Sequence, residues 1–216
     1  MGRDLQAQWI ERTGLIAIVR LDGPTELVRV AKAIAAGGVS VIEFTLTTPG
    51  ALRTIEEATR ELGKDILIGA GTVLDSETAR AAILAGAEFI VAPTLDLQVI
   101  ELCHRYDKVV IPGAYTPTEI LTAWESGADF VKVFPAEFGG SAYLKAVRAP
   151  LPQVKMIPVG GVSLETAAAF LKAGAVALGV GSNLVDKKLV AQGSFDQLTR
   201  VAQQFSQAVR EARGGD

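Results

Sequence analysis

The stretch VIEFTLTTPGALRTIEEATRELGKDILIGA, residues 41–70, holds the unit on which the fold reading turns. Its first run, Val41–Leu46, is rich in β-branched and aromatic side chains and reads as a strand. Pro49–Leu62 reads as a helix, with proline where a first helical turn tolerates it and Thr48 before it as N-cap. Ile66–Ala70 reads as a second strand. Two strands joined by a helical crossover run parallel, because an antiparallel return needs only a short turn.

The same unit recurs on both sides of this stretch. The other strand candidates are Leu15–Arg20, Phe89–Val91, Val109–Ile111, Phe130–Phe134, Lys155–Val159 and Val176–Val180. Helical segments are read at Pro24–Ala36, Ser76–Ala85, Leu97–Tyr106, Pro117–Ser126, Ala142–Val147, Leu164–Ala173 and Phe195–Arg213. Thr116 and Glu119 have the spacing of a capping box around Pro117. The pairs Ala36-Gly37, Ala85-Gly86, Ser126-Gly127 and Ala173-Gly174 recur at 41 to 49 residues, with glycine read as a left-handed helix cap. Eight β-α units predict an α/β fold, a (β/α)8 TIM barrel with a short N-terminal helix, in a single domain over residues 1–216. A doubly wound open sheet is the competitor; it calls for a glycine-rich turn after the first strand, and Arg20-Leu21-Asp22-Gly23-Pro24 is not one.

Composition bounds the chemistry. The 216 residues carry a formal charge of −3 with 49% hydrophobic and 21% charged side chains, which fits a well-filled core and offers no basic surplus for nucleic acid. One cysteine, Cys103, and one histidine, His104, exclude a disulfide framework, a Cys/His zinc site and any two-histidine mechanism within one chain. They are neighbours in a helical segment and face different ways, so Cys103 reads as a core thiol and His104 as a surface side chain. No apolar run reaches a membrane span or a signal peptide, and the lone thiol suits a reducing compartment, so the expected location is cytoplasmic.

Catalytic groups of a parallel barrel stand at the C-terminal ends of its strands. Asp129, Lys155 and Glu88 lie at strand starts and read as structural charges of the opposite rim. Glu43 and Lys132 instead sit inside otherwise apolar or β-branched runs. By the period of two, Ile42, Phe44 and Leu46 face the helices, which turns Glu43, Thr45 and Thr47 inward; Val131 and Val133 face the helices, which turns Lys132, Phe130 and Phe134 inward. One amine and one carboxyl therefore enter one cavity. A purely structural ion pair is the alternative, and it is a weak source of stability because both charges leave water. Burial also lowers a lysine pKa and raises its neutral, nucleophilic fraction.

Two strand exits carry glycine: Pro158-Val159-Gly160-Gly161-Val162 after the seventh strand and Gly179-Val180-Gly181-Ser182-Asn183 after the eighth. These are the two loops where barrels often bind phosphate through backbone N–H groups, although each alone also reads as a tight turn. Arg20, ending the first strand, and Thr72, in Gly69-Ala70-Gly71-Thr72, are candidates for a substrate carboxylate; the inner face of the first strand is left open.

With these residues placed, the chain resembles the bacterial 2-keto-3-deoxy-6-phosphogluconate (KDPG) and 4-hydroxy-2-oxoglutarate (KHG) aldolases. The resemblance is carried by Ala36-Gly37-Gly38-Val39, Val41-Ile42-Glu43-Phe44-Thr45, Ile68-Gly69-Ala70-Gly71-Thr72-Val73, Val131-Lys132-Val133-Phe134-Pro135-Ala136 and Pro158-Val159-Gly160-Gly161-Val162. It implies a class I, Schiff-base lyase without metal or cofactor, with Lys132 as the nucleophile and Glu43 as the acid/base. Substrate contacts are expected from Arg20, Thr47, Thr72, Phe134, Gly160, Gly161, Gly181 and Ser182. The implied partners are a phosphorylated 2-keto-3-deoxy sugar acid and pyruvate, and the implied assembly is a homotrimer, which a mean hydropathy of +0.32 suits.

One departure stands out. Many members of that family carry an arginine, holding the pyruvate carboxylate, where this chain has Thr47. That role passes in expectation to Arg20, Thr72 and local N–H groups, and Thr47-Thr48-Pro49 also resembles the related 6-phosphogalactonate aldolases. A non-covalent sugar-phosphate isomerase or epimerase on the same barrel, and a non-catalytic phosphometabolite-binding scaffold, are the alternatives.

Overall fold

A computed structural model describes residues 1–23, 26–62 and 65–214. The strands are β1 (Leu15–Val19), β2 (Val41–Thr45), β3 (Leu67–Gly71), β4 (Phe89–Val91), β5 (Val109–Ile111), β6 (Gly113–Ala114), β7 (Val131–Val133), β8 (Met156–Pro158) and β9 (Leu178–Val180). The helices are α1 (Arg3–Thr13), α2 (Leu27–Ala36), α3 (Ala51–Leu62), α4 (Ser76–Leu84), α5 (Leu97–Arg105), α6 (Pro117–Glu125), α7 (Gly140–Arg148), α8 (Leu164–Lys172), α9 (Lys187–Ala191) and α10 (Phe195–Ala212).

All strand pairs are parallel, in a six-stranded sheet ordered β5-β4-β3-β2-β1-β9 and a three-stranded sheet ordered β6-β7-β8. The fifth expected strand, Val109–Ile111, is present as β5; beyond Pro112, which has no N–H to give to a ladder, the chain continues as β6, a short strand the sequence reading did not include. β5 pairs with β4, and β6 pairs with β7. Contacts cross both seams: the Lys132 N–H donates to the Pro112 carbonyl at 2.9 Å, and Val159 bridges in parallel to Gly179. The result is a TIM-barrel-like α/β fold.

Two apolar clusters show how the strand period sorts the core. Ile16, Val41, Leu67, Phe89, Val109, Phe130 and Ile157 pack together inside the curve of the sheets. Ala17, Val19, Ile42, Phe44, Ile68, Val131 and Val133 pack outward against the helices. Parallel strands buried on both faces need this double set. Full burial of each large side chain contributes about 1.5–3 kcal/mol, and Phe44, Phe89, Phe130 and Phe205 are fully buried.

α1 closes the lower end. Ile10 joins the inner cluster, and the fully buried Gln6 accepts from the Val109 N–H at 3.2 Å while its amide donates to the Glu88 carboxylate and the Met1 carbonyl. Gly14 takes the left-handed conformation (φ 67°) that turns α1 directly into β1. The rim charges behave as read: Asp129 pairs with Arg3 at 2.9 Å, Glu88 with Lys108 at 2.8 Å and Lys155 with Glu11 at 2.5 Å.

Three local expectations are corrected. Thr48 does not cap a helix: α3 begins at Ala51, and the Thr48 hydroxyl donates to the Leu21 carbonyl at 2.9 Å, tying two strand exits together. Gly37 ends α2 at φ −83°, and it is Gly38 that is left-handed (φ 88°), whereas Gly86, Gly127 and Gly174 have the expected positive φ. His104 is half-buried, its Nε2 lying 2.9 Å from the Gly127 carbonyl. The capping box of Thr116 and Glu119 is present around Pro117, while Pro24 lies outside the described residues.

Candidate active site

Every sequence-predicted site residue except Glu43 lines one cavity of about 560 Å³ at the C-terminal ends of the strands: Arg20, Thr47, Thr72, Lys132, Phe134, Gly160, Gly161, Gly181 and Ser182. Glu43 lies one layer deeper. It shares with Lys132 a recess of about 10 Å³, walled by Ile16, Ile18, Val91, Ile111, Ile157, Val159 and Gly179, which is about the room of one water. Lys132 belongs to the linings of both spaces and so joins the recess to the cavity.

The backbone makes room for these groups. Glu43, on β2, is opposite Ile18 of β1 and Gly69 of β3. A Cβ at Gly71 would fall within the van der Waals shell of Glu43 Oε1, so the glycine is the space the carboxyl occupies. Lys132, on β7, is opposite Gly113 and Ile157, and its Nζ lies 4.9 Å from the Phe134 ring centroid.

Burial sets the electrostatics. Glu43 is 2% exposed and Lys132 6% exposed. Desolvation raises the Glu43 pKa above the ordinary carboxylate value, against the pull of Lys132 and Arg20. Desolvation likewise lowers the Lys132 pKa; Glu43 opposes that shift and Arg20 adds to it. Both displacements favour a neutral amine beside a protonated carboxyl, one a nucleophile and the other a proton donor.

Arg20 resolves the strand face that the sequence left open. Ile16 packs in the inner cluster and Ile18 walls the recess, whereas Ala17 and Val19 face the helices. Arg20 continues the inner set into the cavity. Thr72 stands at the exit of β3 with φ 44°, an uncommon conformation for a β-branched side chain and one that clusters at functional sites. The Thr47 hydroxyl donates to Thr45 Oγ1 at 3.3 Å.

On the opposite side, Gly160 (φ 96°) and Gly161 (φ 69°) turn the chain after β8 in a conformation that glycine permits. Asn183 ties this turn to the exit of β9, its Nδ2 donating to the Val162 carbonyl at 2.8 Å. Among the described residues, the N–H groups of Gly160, Gly161, Ser182 and Asn183 find no backbone acceptor. These donors line the cavity and suit an anion.

Several lining residues were not read from the sequence: Pro93, Glu137, Val185 and Lys187. Pro93 follows β4, so the strand-end rule would have found it; the others hang on loop conformation. Among the described residues there is no group of three or more His, Cys, Asp or Glu side chains placed to hold a metal ion, and no helix long and apolar enough to cross a membrane. Burial pushes the Cys103 thiol up to about 12, which makes it inert.

Comparison with known proteins agrees with this geometry. A family model described as KDPG and KHG aldolase matches residues 7–201. The chain is 37% identical to a Treponema pallidum protein named 2-dehydro-3-deoxy-phosphogluconate aldolase, over 93% of this chain and 95% of the relative. It is 36% identical to an Escherichia coli K12 protein named 2-dehydro-3-deoxy-6-phosphogalactonate aldolase, over 95% of this chain and 98% of the relative. A Legionella pneumophila KDPG aldolase, solved with pyruvate as a covalent carbinolamine, superimposes with a TM-score of 0.85 at 27% identity, over 92% of this chain and 96% of that one.

Proposed function

The chain belongs to the KDPG and KHG aldolase family and is a carbon–carbon lyase, and from that premise we propose that Lys132 and Glu43 carry a Schiff-base cleavage of 2-keto-3-deoxy-6-phosphogluconate to pyruvate and glyceraldehyde 3-phosphate, with cleavage of 4-hydroxy-2-oxoglutarate to pyruvate and glyoxylate beside it. The observation that carries the reading is the shared recess: a buried amine with lowered pKa and a buried carboxyl with raised pKa meet beneath a cavity rimmed by amide donors.

Neutral Lys132 Nζ adds to the C2 ketone, and the Glu43 carboxyl protonates the oxygen, giving a carbinolamine. Glu43 then relays a proton from the added nitrogen to that hydroxyl, which leaves as water and gives an iminium. Glu43, now a carboxylate, takes the proton of the C4 hydroxyl; the C3–C4 bond breaks, its electron pair flows into the iminium, and the aldehyde leaves. The same carboxyl returns the proton to C3 of the enamine, and water then hydrolyses the iminium to pyruvate and free lysine. One group handles every proton because the recess admits little solvent to exchange it.

Arg20 and Thr72 are assigned to the substrate carboxylate, with Thr47 beside them, and Phe134 to the wall over the reacting carbons. Gly160, Gly161, Gly181 and Ser182 are assigned to the phosphate. The same reading takes residues 1–216 as one domain closed into a (β/α)8 barrel, since hydrogen bonds cross both seams between the two sheets. It makes the protein cytoplasmic, which an unpaired buried Cys103 suits. It also makes it a homotrimer, which would cover exposed apolar side chains such as Phe138, 78% exposed.

A second reading keeps the mechanism and changes the sugar: cleavage of 2-keto-3-deoxy-6-phosphogalactonate. Thr47 in place of an arginine and the 36% identity to the E. coli galactonate enzyme favour it. Cleavage rates on the two C4 epimers, read as pyruvate release, decide between them: the epimer with the larger kcat/KM is the substrate, and release from neither overturns both readings.

A further inference from the structure

The cavity carries three basic side chains among its described lining residues, Arg20, Lys132 and Lys187. The first two are committed by the proposed mechanism, on which this inference rests, to the carboxylate end and the ketone. Lys187 has no role in it. It is the first residue of α9, follows the Gly181–Asn183 exit closely in the chain, and shares the cavity lining with the amide donors.

Its ammonium is held to one side. Lys187 Nζ pairs with Asp22 Oδ1 at 2.6 Å, linking the loop after β1 to the start of α9. Asp22 does not line the main cavity; it lines a neighbouring groove with Leu21, Gly23 and Glu26, and Lys187 is the residue common to both linings. The lysine thus stands on the partition between the two spaces. The side chains are 51% and 88% exposed, so the pair is a solvated one that a stronger anion exchanges readily. A phosphate dianion attracts an ammonium more strongly than one carboxylate does, and the flexible four-carbon stem lets the head swing across the partition.

We propose that Lys187 is a specificity residue for the anionic tail of the substrate: parked on Asp22 in the free enzyme, it transfers to the phosphate when a phosphorylated substrate fills the cavity. Glu137, the acid on the same lining, packs its Cβ against Gly161, and its charge sharpens the need for a movable cation there. A substrate ending in an uncharged or short tail gains nothing from the transfer. Asp22 acts as a competitor, and removing it frees the lysine for the tail.

The test compares wild type, K187M, K187R and D22N on the phosphorylated sugar acid and on 4-hydroxy-2-oxoglutarate. K187M raises KM for the phosphorylated substrate about tenfold, the scale of one charge-assisted contact, with kcat and the KM for 4-hydroxy-2-oxoglutarate changed less than about twofold. K187R restores most of the difference, and D22N lowers KM for the phosphorylated substrate alone. Equal KM shifts on both substrates, or none on either, overturn the assignment. If wild type turns over neither substrate, the aldolase reading fails instead. Calorimetric titration with inorganic phosphate then judges Lys187 separately: weaker binding by K187M than by wild type upholds it, and equal binding overturns it.

Discussion

The carboxyl of Glu43 occupies the space that a side chain on Gly71 would fill: a Cβ built there would collide with Oε1, Cδ and Cγ of the glutamate. The two residues lie on neighbouring parallel strands, and Gly71 ends β3 in register with Thr45 of β2. The proposed acid/base is therefore positioned by an absence of atoms one strand away.

Gly71→Ala should displace Glu43 while leaving the barrel standing, because the added methyl meets a side chain and Gly71 has no left-handed backbone to strain. The expected loss in kcat is about 10²-fold, the lower range for removing a general acid/base, against a stability cost of about 1–3 kcal/mol for overpacking. Steady-state kinetics beside thermal unfolding check both; full activity of the Gly71→Ala variant would show that Glu43 does not need this position.

Burial of two ionisable groups costs stability in either protonation state, so the double variant E43L/K132M should be inactive and more stable than wild type. Replacement of buried ion pairs by apolar side chains is often neutral or stabilising by about 1–4 kcal/mol, and each kcal/mol is about 2–4 °C of Tm at this chain length. A Tm well below wild type would mean that the pair is structural.

The single variant K132M leaves Glu43 buried without its cation. Its raised pKa then means that, as pH climbs above the ordinary value of 4.5, the native state holds a proton the unfolded state has released. Stability must fall with rising pH through that window and level off above the folded pKa. Denaturant melts of K132M and of E43L/K132M across pH 4 to 9 isolate the effect; parallel curves would contradict it.

Arg20 lowers the pKa of both Glu43 and Lys132 by its charge. Arg20→Met should move both limbs of the pH profile of kcat/KM upward. It should also raise KM for phosphorylated and unphosphorylated substrates alike, by about tenfold or more, because both share the pyruvyl carboxylate. This equal loss contrasts with the selective loss expected at Lys187.

Thr116→Ala removes the hydroxyl that accepts the Glu119 N–H in the capping box of α6. The cost should be about 1 kcal/mol, with unchanged kcat, and thermal unfolding checks it.

What the sequence disclosed follows the strand period. Glu43 and Lys132 interrupt runs whose alternate members are apolar, so their inward direction was legible before any coordinates. Arg20 was not orientable, because Ile16, Ala17, Ile18 and Val19 are buried on both faces and give no alternation. Val109–Ile111 was legible as a strand, but the two-residue β6 beyond Pro112 was not, because its pairing depends on which neighbours lie on either side. Thr48 looked like a cap since it precedes a proline, and a tertiary partner, the Leu21 carbonyl, overrides that local role. Lys187 reaches the cavity after a turn at 181–185 that no periodicity marks.

The central claim is that Lys132 is the amine that binds pyruvate. Borohydride reduction in the presence of pyruvate, followed by peptide mass analysis, measures it directly. One covalent pyruvyl adduct is expected, on the peptide containing Lys132, formed by wild type and lost in K132M. An adduct on any other lysine, or turnover that survives reduction with no adduct at all, would contradict it.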